Sequence, residues 1–417
     1  MTGDSFGGEA PTHSNESATR STETGGPQSS DRAEIDRVRA GFRRAVAEFA
    51  GASPLYERLA SSAADRPELL TPLLAAPPMQ RRALLFFAAV GYVLRTEDPH
   101  HRLAEWYPVL GGHRPANDGD PVAALADFVD AHRPALEHLC ATRTTQTNEV
   151  RRAALLRPAF GRAAQLATAA TSRDSARGTG EIALIELGTS AGLLLASDRY
   201  SITYHAGGHR EAYGAGSLTL ECELRGEQWP RPAAMPLRIS SRTGIDLAPI
   251  RPSDADGAVW LHACIWPEHT DRDARLDLAL AEVAQLQPTM VAADLRAGLA
   301  SAVAAVPHAV TPCVFTSHVL IYLDRAERDD LTRSLVAIGA ERDLVVVMNE
   351  PAPLHQWTEP VPMIELGITT HVTLVTWRGG TASVEVLAEG DAHGRWLRYE
   401  PRVYGFQPPA LSGSDAG

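Results

Sequence analysis

The chain has 417 residues and a formal net charge of -12, and all 39 of its basic residues are arginine. That length accommodates two domains with separate cores, while the acidic balance leaves no surplus of cations for duplex nucleic acid or anionic membrane. Without lysine, Schiff-base chemistry and a P-loop are excluded, and four widely spaced cysteines, Cys140, Cys222, Cys264 and Cys313, predict reduced thiols in a cytoplasmic protein.

Residues 1–31 carry almost no large apolar side chains and are expected to be disordered. Ile35, Val38, Phe42, Val46 and Phe49 then mark one face of a helix that ends near Gly51. Further helices are predicted at about 55–64, 67–75, 79–95, 121–139 and 148–169, which makes 32–170 an all-helical N-terminal domain. The longest apolar run, Ala83 to Leu94, is too short to cross a bilayer. Residues 171–180 have linker composition. Beyond them, apolar runs alternate with helical patterns: Ile182 to Leu187, Thr289 to Ala293 before Asp294, and Cys313 to Thr316 before Ser317 and His318. A helix from Arg325 to Ile338 and a run from Leu344 to Met348 before Asn349 and Glu350 complete the series. Alternation of this kind predicts an α/β fold with a mostly parallel sheet. His371 to Trp377 and Ala382 to Leu387 flank Arg378-Gly379-Gly380-Thr381 as a C-terminal antiparallel hairpin. The α/β domain spans 181–405, with an insert at 205–270 expected to cover the cleft, and 406–417 forms a second disordered tail.

The run Ile182 to Leu187, then Gly188-Thr189-Ser190-Ala191-Gly192, then Leu193 to Ala196 reads as strand, tight turn and helix. Its glycines bring backbone N–H groups close to a ligand. A dinucleotide fingerprint would need glycine at 190 and 193, where Ser190 and Leu193 stand. The five residues also match G-x-S-x-G, a nucleophile elbow that would make Ser190 an acyl-transfer nucleophile. The helical character of residues 32–172 opposes this, because a hydrolase places several strands ahead of its elbow. A third reading takes Glu186 as an acid closing the first strand ahead of a ligand-binding loop. It resembles the S-adenosylmethionine loop of Rossmann-like methyltransferases, with Ser190 in place of the middle glycine. A nucleotide-binding or interaction protein without catalysis is the remaining alternative.

Ile185-Glu186-Leu187-Gly188 with Ser190 to Leu193, Asp198-Arg199-Tyr200, Ile265-Trp266-Pro267-Glu268 and His393 to Leu397 resemble an uncharacterised, mostly actinobacterial family known as domain of unknown function 2332. The likeness covers about residues 35–400. It implies a Rossmann-like, methyltransferase-type core behind a helical N-terminal part, and no established reaction. By the likeness to methyltransferases, Glu186 would meet the methionine end of S-adenosylmethionine, and Gly188, Thr189, Ser190 and Gly192 would pass beneath it. Asp246, within Thr243 to Pro249, resembles the acid that binds the ribose hydroxyls, and Asp294 would sit near the adenine. Sixty positions separate Glu186 from Asp246, where about 20 is ordinary. Either the insert precedes the true second strand, or Asp246 lies in a loop folded over the site.

Ligands of open α/β sheets sit beyond the strand ends, so residues ending strands are the candidates for chemistry. His318 and Glu350 are placed to take a proton from an attacking hydroxyl or amine. Plainer roles compete: Glu186 and Asp294 as helix caps or ion pairs, His318 as a satisfied structural histidine, and Asn349 with Glu350 as shapers of the turn before Pro351. Thr147 to Arg152 places polar side chains at a helix start, as a cap or as part of a lid. His262 with Cys264, His100 with His101, and His205 with His209 are too sparse for a metal site, and none is expected. The expected function is methyl transfer from S-adenosylmethionine to a small-molecule acceptor.

Overall fold

A computed structural model describes residues 27–146, 148–171, 180–351 and 369–406. The segments 1–26 and 407–417, most of the expected linker, and Thr147 lie outside the described residues. Helix α1 (Pro27–Phe49) begins within the stretch expected to be disordered, so residues 27–31 are helical. It packs with α2 (Pro54–Ala63), α3 (Pro67–Leu70), α4 (Ala83–Thr96) and α5 (Pro121–Thr142) around one apolar cluster. Start signals account for two of these helices. Ser53 accepts from the Tyr56 N–H ahead of Pro54, and Asp120 accepts from Val122 and Ala123 ahead of Pro121. Phe42, Phe49, Phe86 and Phe87 interlock at the centre, with Tyr56 stacked on Phe87 at 4.3 Å between ring centroids.

Eleven strands form one sheet. In chain order they are β1 (Ile182–Leu187), β2 (Ser201–Ala206), β3 (His209–Tyr213), β4 (Thr219–Leu224), β5 (Ile239–Asp246) and β6 (Thr289–Ala292), followed by β7 (Thr311–Ser317), β8 (Leu344–Glu350), β9 (Thr369–Arg378), β10 (Thr381–Asp391) and β11 (Trp396–Tyr404). Their spatial order is β3-β2-β4-β11-β10-β9-β8-β7-β1-β5-β6. The block β6-β5-β1-β7-β8 is parallel throughout. Beyond β8 the expected hairpin is a three-strand antiparallel meander of β9, β10 and β11, and β11 then pairs parallel with β4.

Every residue of β1 is buried, because both sheet faces are covered. Ile182 and Leu184 join a core centred on α6 (Ala153–Thr171), while Ala183, Ile185 and Leu187 meet α9 (Leu295–Ala304) and α10 (Arg325–Glu341). Grouped by its sequence with the helical segment, α6 packs instead on the sheet, touching β1, β4, β7, β8, β9 and β10. Gly161 lets α6 also press against the 3-10 turn Arg231–Ala234: a Cβ there would lie 1.8 Å from the Pro232 carbonyl oxygen.

The insert is also placed differently from expectation. Its first strands extend the sheet at the end far from β6, and its last strand, β5, is the direct neighbour of β1. Asp246 therefore ends the true second strand of the parallel block. Helices α7 (Ala255–Ala263) and α8 (Thr270–Leu286) follow, and Trp260 of α7 is buried in the helical cluster with its indole N–H on the Thr144 carbonyl at 2.8 Å. Among the described residues no helix is long and apolar enough to cross a membrane.

Candidate functional site

The turn after β1 is tied to β5 by its own backbone. Gly188 and Thr189 both donate to the Ile245 carbonyl, at 2.8 and 3.2 Å, and Ser190 N–H donates to Asp246 Oδ2 at 2.8 Å. Gly188 has a φ of +71°, and a Cβ on it would lie 2.5 Å from Val319 Cγ2, so only glycine lets the loops after β1 and β7 meet. Ser190 has a φ of +51° and Gly192 a φ of +73°. After Gly192 comes not an α-helix but a seven-residue 3-10 helix, Leu193–Arg199, whose first five side chains are all buried. No α-helix follows the loop before β2, which corrects the expected strand, turn and helix.

Glu186 is buried and accepts a 2.7 Å bond from the Thr189 hydroxyl. Burial pushes its carboxyl up to about 8, with the Asp246 charge acting in the same direction and the Thr189 bond opposing both. Glu186 is therefore mostly a neutral acid at pH 7. Asp246 is half-buried, its second oxygen accepting from Ala248 N–H at 3.0 Å. The Ser190 hydroxyl lies between two amides, 2.5 Å from Gln146 Oε1 and 2.8 Å from Asn148 Nδ2. Asp294 follows β6, with its neighbour Ala293 donating to the Asp246 carbonyl at 2.9 Å. Its own carboxylate caps α9 and pairs with Arg296, which holds it down to about 2.

On the other side of β1, His318 leaves β7 with a φ of +57°, its N–H on the Asn349 carbonyl at 3.0 Å. Burial and then the Arg152 charge push its imidazole down to about 3, and its Nε2 is sealed from solvent with no hydrogen-bond partner among the described residues. Glu350 is completely buried and accepts from the backbone N–H groups of Val319 and Leu320, at 2.9 and 3.3 Å. Burial raises its carboxyl to about 7. Asn349 donates to the Ser317 hydroxyl and accepts from Thr370. Asn349 and Glu350 thus hold the turn that carries His318.

Gln146 and residues 148–152, the latter read from the sequence as a cap or part of a lid, form a strap against the Ser190 loop, and it is the contacts with Ser190 that sequence reasoning missed. Besides the two amides on Ser190, it contributes Glu149, which caps its own 3-10 turn and lies 3.4 Å from Arg272 Nε. Arg152 donates to the Ala392 carbonyl at 2.8 Å and the Ser317 carbonyl at 3.3 Å. The only available signal was the polar run ending in Arg152. Glu186, Gly188, Thr189, Ser190 and Asp246 thus share one network, with Gly192 at its exit. His318 and Glu350 form a second, joined to the first where Val319 meets Gly188, and Asp294 stands at the margin.

The family model described as an uncharacterised protein conserved in bacteria, domain of unknown function 2332, matches residues 39–399. The chain belongs to this family. A search among curated proteins finds no match. The 2332 region begins inside α1 and ends in β11, so it includes most of the helical cluster, the strap and every residue of both networks. Within this 2332 protein a groove of 820 Å³, lined by Leu55, Arg58, Trp106 and Arg114 among others, lies in the helical part and contains none of the strand-end residues. Among the described residues no group of three or more His, Cys, Asp or Glu side chains could hold a metal ion.

Proposed function

We propose that the protein binds S-adenosylmethionine across the ends of β1 and β5 and transfers its methyl group to a small-molecule acceptor. The observation that carries this reading is the contact between Asp246 and Ser190: the carboxylate ending the strand beside β1 lies against the glycine-flanked loop. Its two backbone bonds leave lone pairs free, and a carboxylate offers about four acceptor positions, enough for two vicinal ribose hydroxyls. The order β6-β5-β1-β7-β8 changes direction between β1 and β7, the place where open α/β sheets receive ligands. That order suits the Rossmann-like, methyltransferase-type core. Glu186, protonated at neutral pH, would meet the methionine end without repelling its carboxylate.

His318 and Glu350 stand on the acceptor side. An imidazole held near 3 is a weak base, and Glu350 has both oxygens on backbone amides. Alignment of acceptor and methyl group then carries most of the rate, with His318 positioning rather than deprotonating. Calorimetry with S-adenosylmethionine and its demethylated product is expected to show binding of both. Asp246→Asn, which can still accept from Ser190, should weaken each by roughly tenfold, the effect of removing a charged hydrogen-bond acceptor. The reading is abandoned if neither compound binds at millimolar concentration. For the hydrolase alternative, the amide partners of Ser190 supply no base. A fluorophosphonate probe should leave the protein unlabelled. Stoichiometric labelling that disappears in Ser190→Ala would restore the hydrolase.

A further inference from the structure

Arg152 is buried at the start of α6, and the two hydrogen bonds it makes go to main-chain carbonyls. A guanidinium has five N–H groups, so most of its donors have no partner among the described residues. The two acids that act on it are committed elsewhere. Glu350 accepts from Val319 and Leu320, and Glu149 accepts from the Arg151 N–H and faces Arg272. Arg272 adds a second cation to the same neighbourhood. His318, one residue beyond the carbonyl that Arg152 holds, contributes the unpartnered Nε2. The turn after it exposes two large apolar side chains, Ile321 at 48% and Tyr322 at 61%, and Tyr322 lies within electrostatic reach of Arg152.

A buried cation whose neighbouring acids are bound to other donors, and which lies beside an unpartnered imidazole and an exposed apolar rim, has the make-up of an incomplete site. We infer that Arg152 is the anchor for the carboxylate of a small ligand, with His318 in its Nε2–H form giving a second bond and Ile321 and Tyr322 flanking an apolar body. The planar fork of arginine matches a carboxylate, and the adjacent Glu149 and Glu350 disfavour a more highly charged phosphate. Such a carboxylate can belong to an organic acid acceptor or to the amino-acid end of S-adenosylmethionine. The first source stands by itself, whereas the second rests on the proposed cofactor.

Calorimetry on the full chain separates these sources with two ligand pairs: phenylacetate against phenylacetamide, and S-adenosylmethionine against methylthioadenosine, which lacks the amino-acid end. In at least one pair the carboxylate form should bind about tenfold tighter or more, the scale of a charge-assisted hydrogen bond. Arg152→Gln should erase that preference while the circular dichroism spectrum stays native. Because Arg152 also ties Ser317 to Ala392, Arg152→Lys serves if the glutamine variant does not fold: it keeps the charge but loses the planar fork, so the preference should fall severalfold. A preference that survives in folded Arg152→Gln, or is undiminished in Arg152→Lys, overturns the inference, as does the absence of preference in both pairs of the wild-type protein. Binding of S-adenosylmethionine and methylthioadenosine with equal affinity, with no phenylacetate preference, sinks the inference and leaves the cofactor reading standing. Preference for phenylacetate without any S-adenosylmethionine binding does the reverse.

Discussion

Glu186 turns its burial into a dependence of stability on pH. In the unfolded chain its carboxyl titrates near 4.5, and in the fold near 8. Below 4.5 both states hold the proton and the fold loses nothing. As pH rises from there towards 8 the unfolded chain releases a proton that the fold retains, so stability falls, and above 8 the loss is complete. At about 1.4 kcal/mol per unit the total reaches a few kcal/mol. Glu350 acts in the same direction, so the test is a difference between two proteins. In urea unfolding from pH 5 to 9, Glu186→Gln should lose stability less steeply than wild type and be the more stable protein at pH 9. Parallel curves would show that the Glu186 carboxyl keeps an ordinary pKa. His318 teaches a related lesson about legibility. Its place at a strand end was readable, but its weak basicity comes from burial and then from the charge of Arg152, an arginine 165 positions before Ser317 in the chain.

At the scale of elements, what could be read followed how evenly each strand is buried. Strands β1, β7 and β8 are covered on both faces and appear as mostly apolar runs. Strand β5 reads Ile-Ser-Ser-Arg-Thr-Gly-Ile-Asp and is only partly buried, so its apolar pattern did not mark it as the partner of β1, and only the likeness of Thr243 to Pro249 to a second-strand ending pointed there. Strand order carries no local signal either, and β2, which follows β1 in the chain, lies seven places away from it in the sheet. The strap was legible as a possible lid, but its contact with Ser190 was not, because the two amides stand more than 40 positions away in the chain. The contact between the loops after β1 and β7 can be tested directly. Gly188→Ala places a methyl group 2.5 Å from Val319 Cγ2 at a left-handed φ, and should destabilise by about 2–4 kcal/mol. Adding Val319→Ala removes the collision but not the backbone strain, so the double variant should lose less than the sum of the two single losses. Strict additivity in urea unfolding would mean that the loops do not touch.

For the whole molecule, the helical and α/β parts are not interchangeable modules. The sheet core is built on α6, where Phe160 meets Phe315 edge to face at 5.1 Å, and the helical cluster in turn takes Trp260 from α7. A fragment of residues 180–406 lacks α6, and is expected to aggregate or bind a hydrophobic dye without a cooperative thermal transition. Wild-type-like melting of that fragment would refute this dependence. The sheet order also sets a timetable for synthesis. Glu223 and Leu224 of β4 pair with Trp396 and Leu397 of β11, and 396 - 223 leaves 173 positions between the first partners. At ribosomal speeds of about 5–20 residues per second, β4 emerges roughly 10 to 35 seconds before that partner exists. During this interval the nascent chain carries a parallel ribbon of β2 and β4 with a bare edge, the configuration most prone to capture by another chain. Its side chains answer that risk: β4 alternates buried Leu220, Cys222 and Leu224 with outward Thr219, Glu221 and Glu223, and two like charges along one strand repel a second copy until β11 arrives.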